Sequence, residues 1–399
     1  MSAPLMDLFA PPPIDFVRGQ GVYLFTGEGE RYLDFIAGIA VNSLGHAHPA
    51  AVAALTEQAN ALWHVSNMFR VPGQQELAAK YVEASGLDRV FFTNSGTEAI
   101  EAALKTARKY FAAKGEPEKF RIITFEGAFH GRSYAAINAG GNPAYLDGFG
   151  PLMEGFDQVP FGDIEAVKAA IRPDTCAVLI EPVQGEGGVR AATTEYLKAL
   201  RKLCDEHGLL LIYDEVQCGA GRTGRLFAYQ WADGGANPDI MALAKGIGAG
   251  FPLGACLATE DAARGMQFGA HGTTFGGNPL AMAVGNAVWD ILADPAFMEQ
   301  VNDTANYMGQ QLQRLVDAHP DTVEEVRGKG LLIGLKLKAS IVNKDVQAIC
   351  RDNKLLIGVA GGNVVRLAPP LVVSTDEARQ AIDVLDRALT EAAQRAQGA

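Results

Sequence analysis

The chain has 399 residues, 48% hydrophobic and 20% charged, the composition of an ordinary globular protein with enough apolar material for a large buried core. Its formal net charge of −12 argues against nucleic-acid and anionic-membrane partners, so an anionic ligand must be held by a few local arginines. The five cysteines are dispersed without a Cys-x-x-Cys pair, and the start lacks a basic, apolar leader. Both point to reduced thiols and a cytoplasmic protein.

Residues 1 to about 20 read as an arm broken by Pro11, Pro12 and Pro13. Residues 22–25 and 32–36 alternate like a small hairpin around the Gly27-Glu-Gly29 turn. His46 and His48 follow in a loop. Two histidines without a third ligand nearby do not make a metal site, and none is expected. Pro49 then opens an Ala-rich helix. From about residue 75 strands and helices alternate, with strands expected at 89–92, 121–125, 177–180, 209–213, 240–243 and 255–258. Helices are expected at 98–111, 164–171 and 194–207. The strands are nearly continuous apolar runs, as in an α/β fold whose mostly parallel sheet is covered on both faces. Beyond about residue 285 the texture becomes α+β, with strands expected at 331–337, 355–359 and 364–367 and a final helix carrying Ala378, Ile382, Leu385 and Leu389. The expected division is 1–60 (arm and hairpin, part of a small domain), 61–285 (large α/β domain) and 286–399 (small domain).

Several stretches carry chemistry. Ser95-Gly-Thr-Glu98 ends a strand and opens a helix with a capping-box pattern, so its free N–H groups form either an anion site or simply a capped end. Phe129-His-Gly-Arg132 follows a strand and offers an aromatic face beside an arginine, or an ordinary surface loop. Glu186 lies among glycines after another buried strand. Asp214-Glu-Val-Gln217 brings a carboxylate to the carboxyl end of a central strand, where ligand crevices of open α/β sheets lie. Lys245 follows the apolar run 240–243 and precedes three glycines. In partly apolar surroundings its amine loses its proton and becomes a nucleophile. The alternative is an ammonium in water at a strand end. Gly272-Thr-Thr-Phe-Gly-Gly277 is a hydroxyl-rich loop before a helix. Arg366 sits inside an apolar strand and needs an anionic partner, either a ligand or an internal salt bridge. Gly219-Ala-Gly-Arg-Thr-Gly224 has the outline of a dinucleotide fingerprint. Its context is wrong, because the glycines neither follow the strand directly nor open a helix.

Together, Ser95-Gly-Thr-Glu98, Phe129-His-Gly-Arg132, Asp214-Glu-Val-Gln217, Ala244-Lys-Gly246 and Thr274-Phe-Gly-Gly277 resemble the class III aminotransferases. The resemblance covers nearly the whole chain and implies the fold-type I scaffold, pyridoxal 5'-phosphate as cofactor and a homodimer with shared active sites. It implies that Lys245 is the Schiff-base lysine and proton shuttle, and that Asp214 holds the proton on the pyridine nitrogen. It also implies that Phe129 stacks on the ring, that Glu215, Val216 and Gln217 lie against the cofactor with Gln217 on the ring hydroxyl, and that Gly96 and Thr97 hold the phosphate with Thr274 of the other subunit. Arg132 and Thr273 are implied to bind the acyl end of the amine donor. Arg366 is implied to bind the α-carboxylate of glutamate or 2-oxoglutarate, with Glu186 masking it in the other half-reaction. The stretches 38–46 and 328–334 point to the subgroup that uses N2-acetylornithine. Succinylornithine, succinyl-diaminopimelate, ornithine and 4-aminobutyrate are the rival donors. Two departures, Phe9 in place of a frequent tyrosine and Thr273 in place of a frequent serine, bear on the acyl end.

Overall fold

The computed structural model describes residues 4–397. Its centre is a seven-stranded sheet in the order Arg89–Thr93, Gly254–Ala258, Ile240–Leu243, Leu210–Asp214, Thr175–Ile180, Arg121–Phe125, Phe156–Val159. The sheet is parallel except for Gly254–Ala258, which runs antiparallel to both its neighbours. The middle strands are buried along their whole length, which explains their unbroken apolar sequences. The helix Gly96–Ala113 covers one face with Ile100, Ala103, Leu104, Ala107 and Phe111, three or four residues apart. The helix Thr194–His207 covers the other with Leu197, Leu200 and Cys204, and Gly208 stops it in the left-handed region.

A second sheet is assembled from both ends of the chain. Phe16–Gln20, Tyr23–Thr26 and Arg31–Asp34 form a meander, and Leu355–Leu356 adds to it parallel to Leu33 and Asp34. A third, antiparallel sheet has the order Val323–Lys329, Leu332–Leu337, Val364–Leu367, Gly358–Ala360. The single strand expected at 355–359 is thus two, because the chain switches sheets at Ile357. Five strands were not anticipated, two of them the short ribbon Val183–Gln184 with Arg190–Ala191. Phe16–Gln20 lies inside the expected arm, and Phe156–Val159 and Val323–Lys329 are edge strands whose polar residues hide the pattern. The boundary expected at 285 falls within the helix Pro279–Leu292, which packs on the helices Pro49–Ala59 and Gln74–Ser85. No helix among the described residues is long and apolar enough to cross a membrane.

The N-terminal sheet reaches the central one through a strained turn. Ala37, Gly38, Ile39 and Ala40 all have φ between 49° and 67°. Such a run persists only where its surroundings over-determine it. Buried Asp34 does so, accepting the Ile36 and Ala37 N–H groups at 2.9 Å on Oδ1 and meeting His46 Nε2 at 2.8 Å on Oδ2. Just beyond, Ser43 Oγ donates to the Gly246 carbonyl at 2.7 Å, next to Lys245. Asp34→Ala is expected to destabilise the protein by about 2–6 kcal/mol, from two stranded N–H donors at about 1–3 kcal/mol each. The exposed change Glu57→Ala should stay within about 0.5 kcal/mol. Urea midpoints of the two variants check this.

Candidate active site

A cavity of about 320 Å³ opens at the carboxyl ends of Leu210–Asp214 and Ile240–Leu243. Lys245 lies in its wall, two residues past the second strand, with φ 49°. Part of the residue is reached through the cavity mouth, but protein surrounds its amine. Desolvation pushes its pKa down to about 8. The Arg366 charge adds to this, while the Glu186, Asp214 and Glu181 carboxylates oppose it. A minority of the lysine is therefore neutral near physiological pH, far more than at an ordinary lysine, as a nucleophile requires.

Asp214 ends its strand pointing into the same cavity. His130 Nδ1 meets its Oδ2 at 2.8 Å, and the Val216 N–H donates to its Oδ1 at 3.0 Å, so the carboxylate is fixed from two sides. His130 also lines the cavity, and its buried Nε2 has no partner among the described residues. Glu181 lies on the cavity wall as well, accepting the Phe129 N–H at 3.1 Å. Burial, with Asp214 nearby, holds its carboxyl well above the usual carboxylate range. Sequence reading assigned no role to His130 or Glu181. His130 stands between the assigned Phe129 and Arg132, and Glu181 directly follows the apolar strand Thr175–Ile180.

The helix N-terminus at Ser95 opens onto the cavity. Ser95 Oγ accepts the Glu98 N–H at 3.3 Å, but Glu98 Oε2 returns to the backbone and side chain of Asn94, at 2.8 and 2.9 Å. The expected capping box is thus displaced by one residue. Helix geometry leaves the Gly96 and Thr97 N–H groups without intrahelical partners, and both residues line the cavity. A methyl group on Gly96 would come within 2.6 Å of Val216 Cγ1, so only glycine lets the helix start close on that side. Phe129 lines the opposite part of the cavity. The Arg132 guanidinium, exposed to solvent, lies 3.8 Å from the Tyr145 ring centre and 5.7 Å from that of Phe129.

Arg366 is 5% exposed and its Nη1 donates to Glu186 Oε1 at 2.5 Å. Of the two alternatives named for Arg366, the structure shows the internal salt bridge, and its partner Glu186 lines the cavity. Gln217 lines it too, with a buried Oε1 that no described residue satisfies. These residues fit a flat ring bearing a phosphate at one end and an amine-reactive group at Lys245. They supply a helix N-terminus, an aromatic face, a fixed carboxylate and an unpaired amide.

Three expected site residues lie elsewhere. Glu215 faces away from Asp214, as strand alternation requires, and its carboxylate accepts the Ala228 and Tyr229 N–H groups at 2.6 and 2.9 Å. Burial raises its pKa to about 8. Thr273 Oγ1 accepts the Gly276 N–H at 3.0 Å in a separate cavity with Asn67 and Gln74, and Thr274 is exposed. His46 is held by Asp34. In the glycine-rich decoy, Asp239 accepts the Leu211 N–H and the Arg201 guanidinium, both at 2.7 Å, and so serves the sheet.

Comparison with known proteins agrees with this geometry. The family model described as aminotransferase class-III matches residues 9–389. The chain is 61% identical to the acetylornithine aminotransferase of Agrobacterium fabrum, over 96% of this chain and 94% of that one. It is 60% identical to the acetylornithine aminotransferase of Mesorhizobium japonicum, over 95% and 94%. Among solved structures, the N-acetylornithine aminotransferase of Stenotrophomonas maltophilia superposes with a TM-score of 0.83 at 36% identity, covering 96% of each chain. The ornithine aminotransferase of Toxoplasma gondii superposes with a TM-score of 0.94 at 32% identity, covering 98% of this chain and 94% of that one. A lysine withdrawn from water at a sheet's carboxyl edge, a fixed aspartate beside it and a match over nearly the full length lead to one conclusion: the chain belongs to the class III aminotransferases.

Proposed function

We propose that the protein transfers the δ-amino group of N2-acetyl-L-ornithine to 2-oxoglutarate, giving N-acetyl-L-glutamate 5-semialdehyde and L-glutamate, a step of arginine biosynthesis. The observation that carries the two-substrate reading is the Arg366–Glu186 ion pair at the wall of the Lys245 cavity. The names of the relatives at 60–61% identity support the choice of donor.

Bound pyridoxal 5'-phosphate supplies a conjugated ring that accepts electrons from the substrate carbon and carries the amino group between the two half-reactions. The protein does the rest. Lys245 offers a neutral amine that anchors the cofactor and then takes and returns the proton at the substrate carbon. Asp214, oriented by His130 and Val216, keeps the ring nitrogen protonated. Gly96 and Thr97 would hold the phosphate, Phe129 would cover the ring and Gln217 would accept from the ring hydroxyl; all four line the cavity. Arg366, released from Glu186, binds the α-carboxylate of glutamate or 2-oxoglutarate as a bidentate fork. When an ω-amine enters, Glu186 closes on Arg366 again, so one cavity accepts two unlike amino donors. Arg132 beside Phe129 and Tyr145 receives the acyl end of the donor.

The protein acts as a homodimer. Phe268, Met68, Phe69, Trp63 and Phe275 are large apolar residues at least 60% exposed, which suits a covered face. The loop carrying Thr273 and Thr274 completes the partner's phosphate and acyl sites.

Titrating the loaded enzyme tests the reading as a whole. Its visible cofactor band should fall with N2-acetylornithine and return with 2-oxoglutarate, and a response confined to ornithine or 4-aminobutyrate would reassign the donor. Arg366→Ala should raise KM for 2-oxoglutarate about 10–100-fold, the worth of about 1.5–3 kcal/mol in charged hydrogen bonds. The acetylornithine half-reaction should change much less, and single-turnover rates of the two halves separate them.

The lysine also leaves a stability signature in protein freed of cofactor. Its pKa falls from 10.5 in the unfolded chain to about 8 in the folded one. Between these values the unfolded state binds more protons, so stability rises with pH. The cost of burying the charged amine is fully present below about pH 8 and is relieved towards pH 10.5. The urea midpoint of wild-type protein should therefore gain on that of Lys245→Met from pH 8 to 10. A constant difference would mean a solvated amine.

A further inference from the structure

The stretch 328–334 marks the chain's subgroup, yet the chemistry at Lys245 does not use it. Its first residues border a second cavity of about 280 Å³, between the loop that follows Asp214 and the C-terminal sheet. The charged residues lining it are Arg327 and Lys329, with no carboxylate among them, in a chain whose net charge is −12. Lys329 Nζ lies 4.0 Å from the centre of the Trp231 ring, which fixes the ammonium at the cavity wall. Arg327 engages Glu325 Oε1 through Nε, at 3.0 Å. Thr223 is fully buried and lines the cavity, and its Oγ1 has no hydrogen-bond partner among the described residues. The remaining wall is mixed: Ala305, Val326 and Ile333 give it an apolar patch, and Asn302 and Asn306 are polar.

We propose that this cavity is a second ligand site, for a small dicarboxylate. Lys329 and the Nη groups of Arg327, whose Nε already meets Glu325, match two carboxylates, the Thr223 hydroxyl supplies a buried hydrogen bond, and the apolar patch suits a short methylene chain better than a bare inorganic anion. The site depends on these residues alone and holds whichever amine donor the enzyme uses. It is also joined to Arg366. Gly330 lies so close to Thr223 that a methyl group there would sit 2.4 Å from the Thr223 carbonyl carbon. The Leu331 N–H donates to the Arg222 carbonyl at 2.9 Å, and the Arg222 guanidinium donates to the carbonyls of Leu331 and Pro369. The strand that leaves the cavity pairs Gly334 with Arg366. An occupant therefore rests on the same ladder that holds the carboxylate-binding arginine.

Calorimetric titration of the cofactor-loaded enzyme with succinate tests the proposal. Wild-type protein should bind two succinates per chain, one at each site. Arg366→Ala should leave one. Adding Lys329→Gln to that variant should weaken the remaining binding about tenfold or more, the loss of one charged contact. Should Lys329→Gln lower the thermal midpoint, Thr223→Val, which keeps shape and removes only the hydroxyl, decides by weakening the same event severalfold. Loss of all succinate binding in Arg366→Ala would overturn the proposal. So would residual binding indifferent to both Lys329→Gln and Thr223→Val.

Discussion

Holding one amine out of water at the edge of a sheet is the constraint on which the site depends. A buried cation is costly unless its charge is met or given up. Here both happen in part. Asp214, Glu181 and Glu186 stand around Lys245, and Arg366 opposes them. Burial also holds the Glu181 carboxyl well above the usual carboxylate range, so the same desolvation acts on the amine and on a neighbouring acid. A further negative group in the wall would pull the lysine back to its charged form, and a further positive one would cost it its place.

Geometry enforces what electrostatics requires. Lys245 takes a left-handed φ directly after a buried strand, and the turn from Ala37 to Ala40 is left-handed as well. The two strained segments are tied by the Ser43–Gly246 hydrogen bond. Strain of this kind survives where many contacts agree on one conformation, and its clustering beside the cavity fits a site prepared before any ligand arrives. Asp34 is the anchor, because it fixes the turn with both carboxylate oxygens.

Much of this was legible in the residues. The strand ends bearing Asp214 and Lys245, the helix start at Ser95 and the buried Arg366 follow from apolar runs interrupted by a single polar residue. What stayed hidden depends on direction and partnership. Glu215 reads as part of the Asp214 motif, yet period-two alternation sends it to cap Ala228 and Tyr229. Glu98 answers Asn94 and not Ser95, because the chain turns one residue earlier than the motif suggests. His130 gains its place only when the fold brings it onto Asp214, 84 residues away in sequence, which no local pattern reveals. Ile357 divides an apolar run between two sheets that exist only in three dimensions.

The antiparallel strand Gly254–Ala258 has a consequence for synthesis on the ribosome. It is the sole partner of Arg89–Thr93 and the outer neighbour of Ile240–Leu243. The N-terminal meander likewise waits for Leu355–Leu356, delivered near the other end of the chain. Neither sheet can be completed as its first strands emerge, so assembly is dominated by non-local pairing and is intrinsically slow. A nascent chain ending short of residue 258 presents two apolar strand edges with nothing between them, an opening that another nascent chain could fill. A chain truncated before residue 258 is thus an aggregation risk more than a partial enzyme.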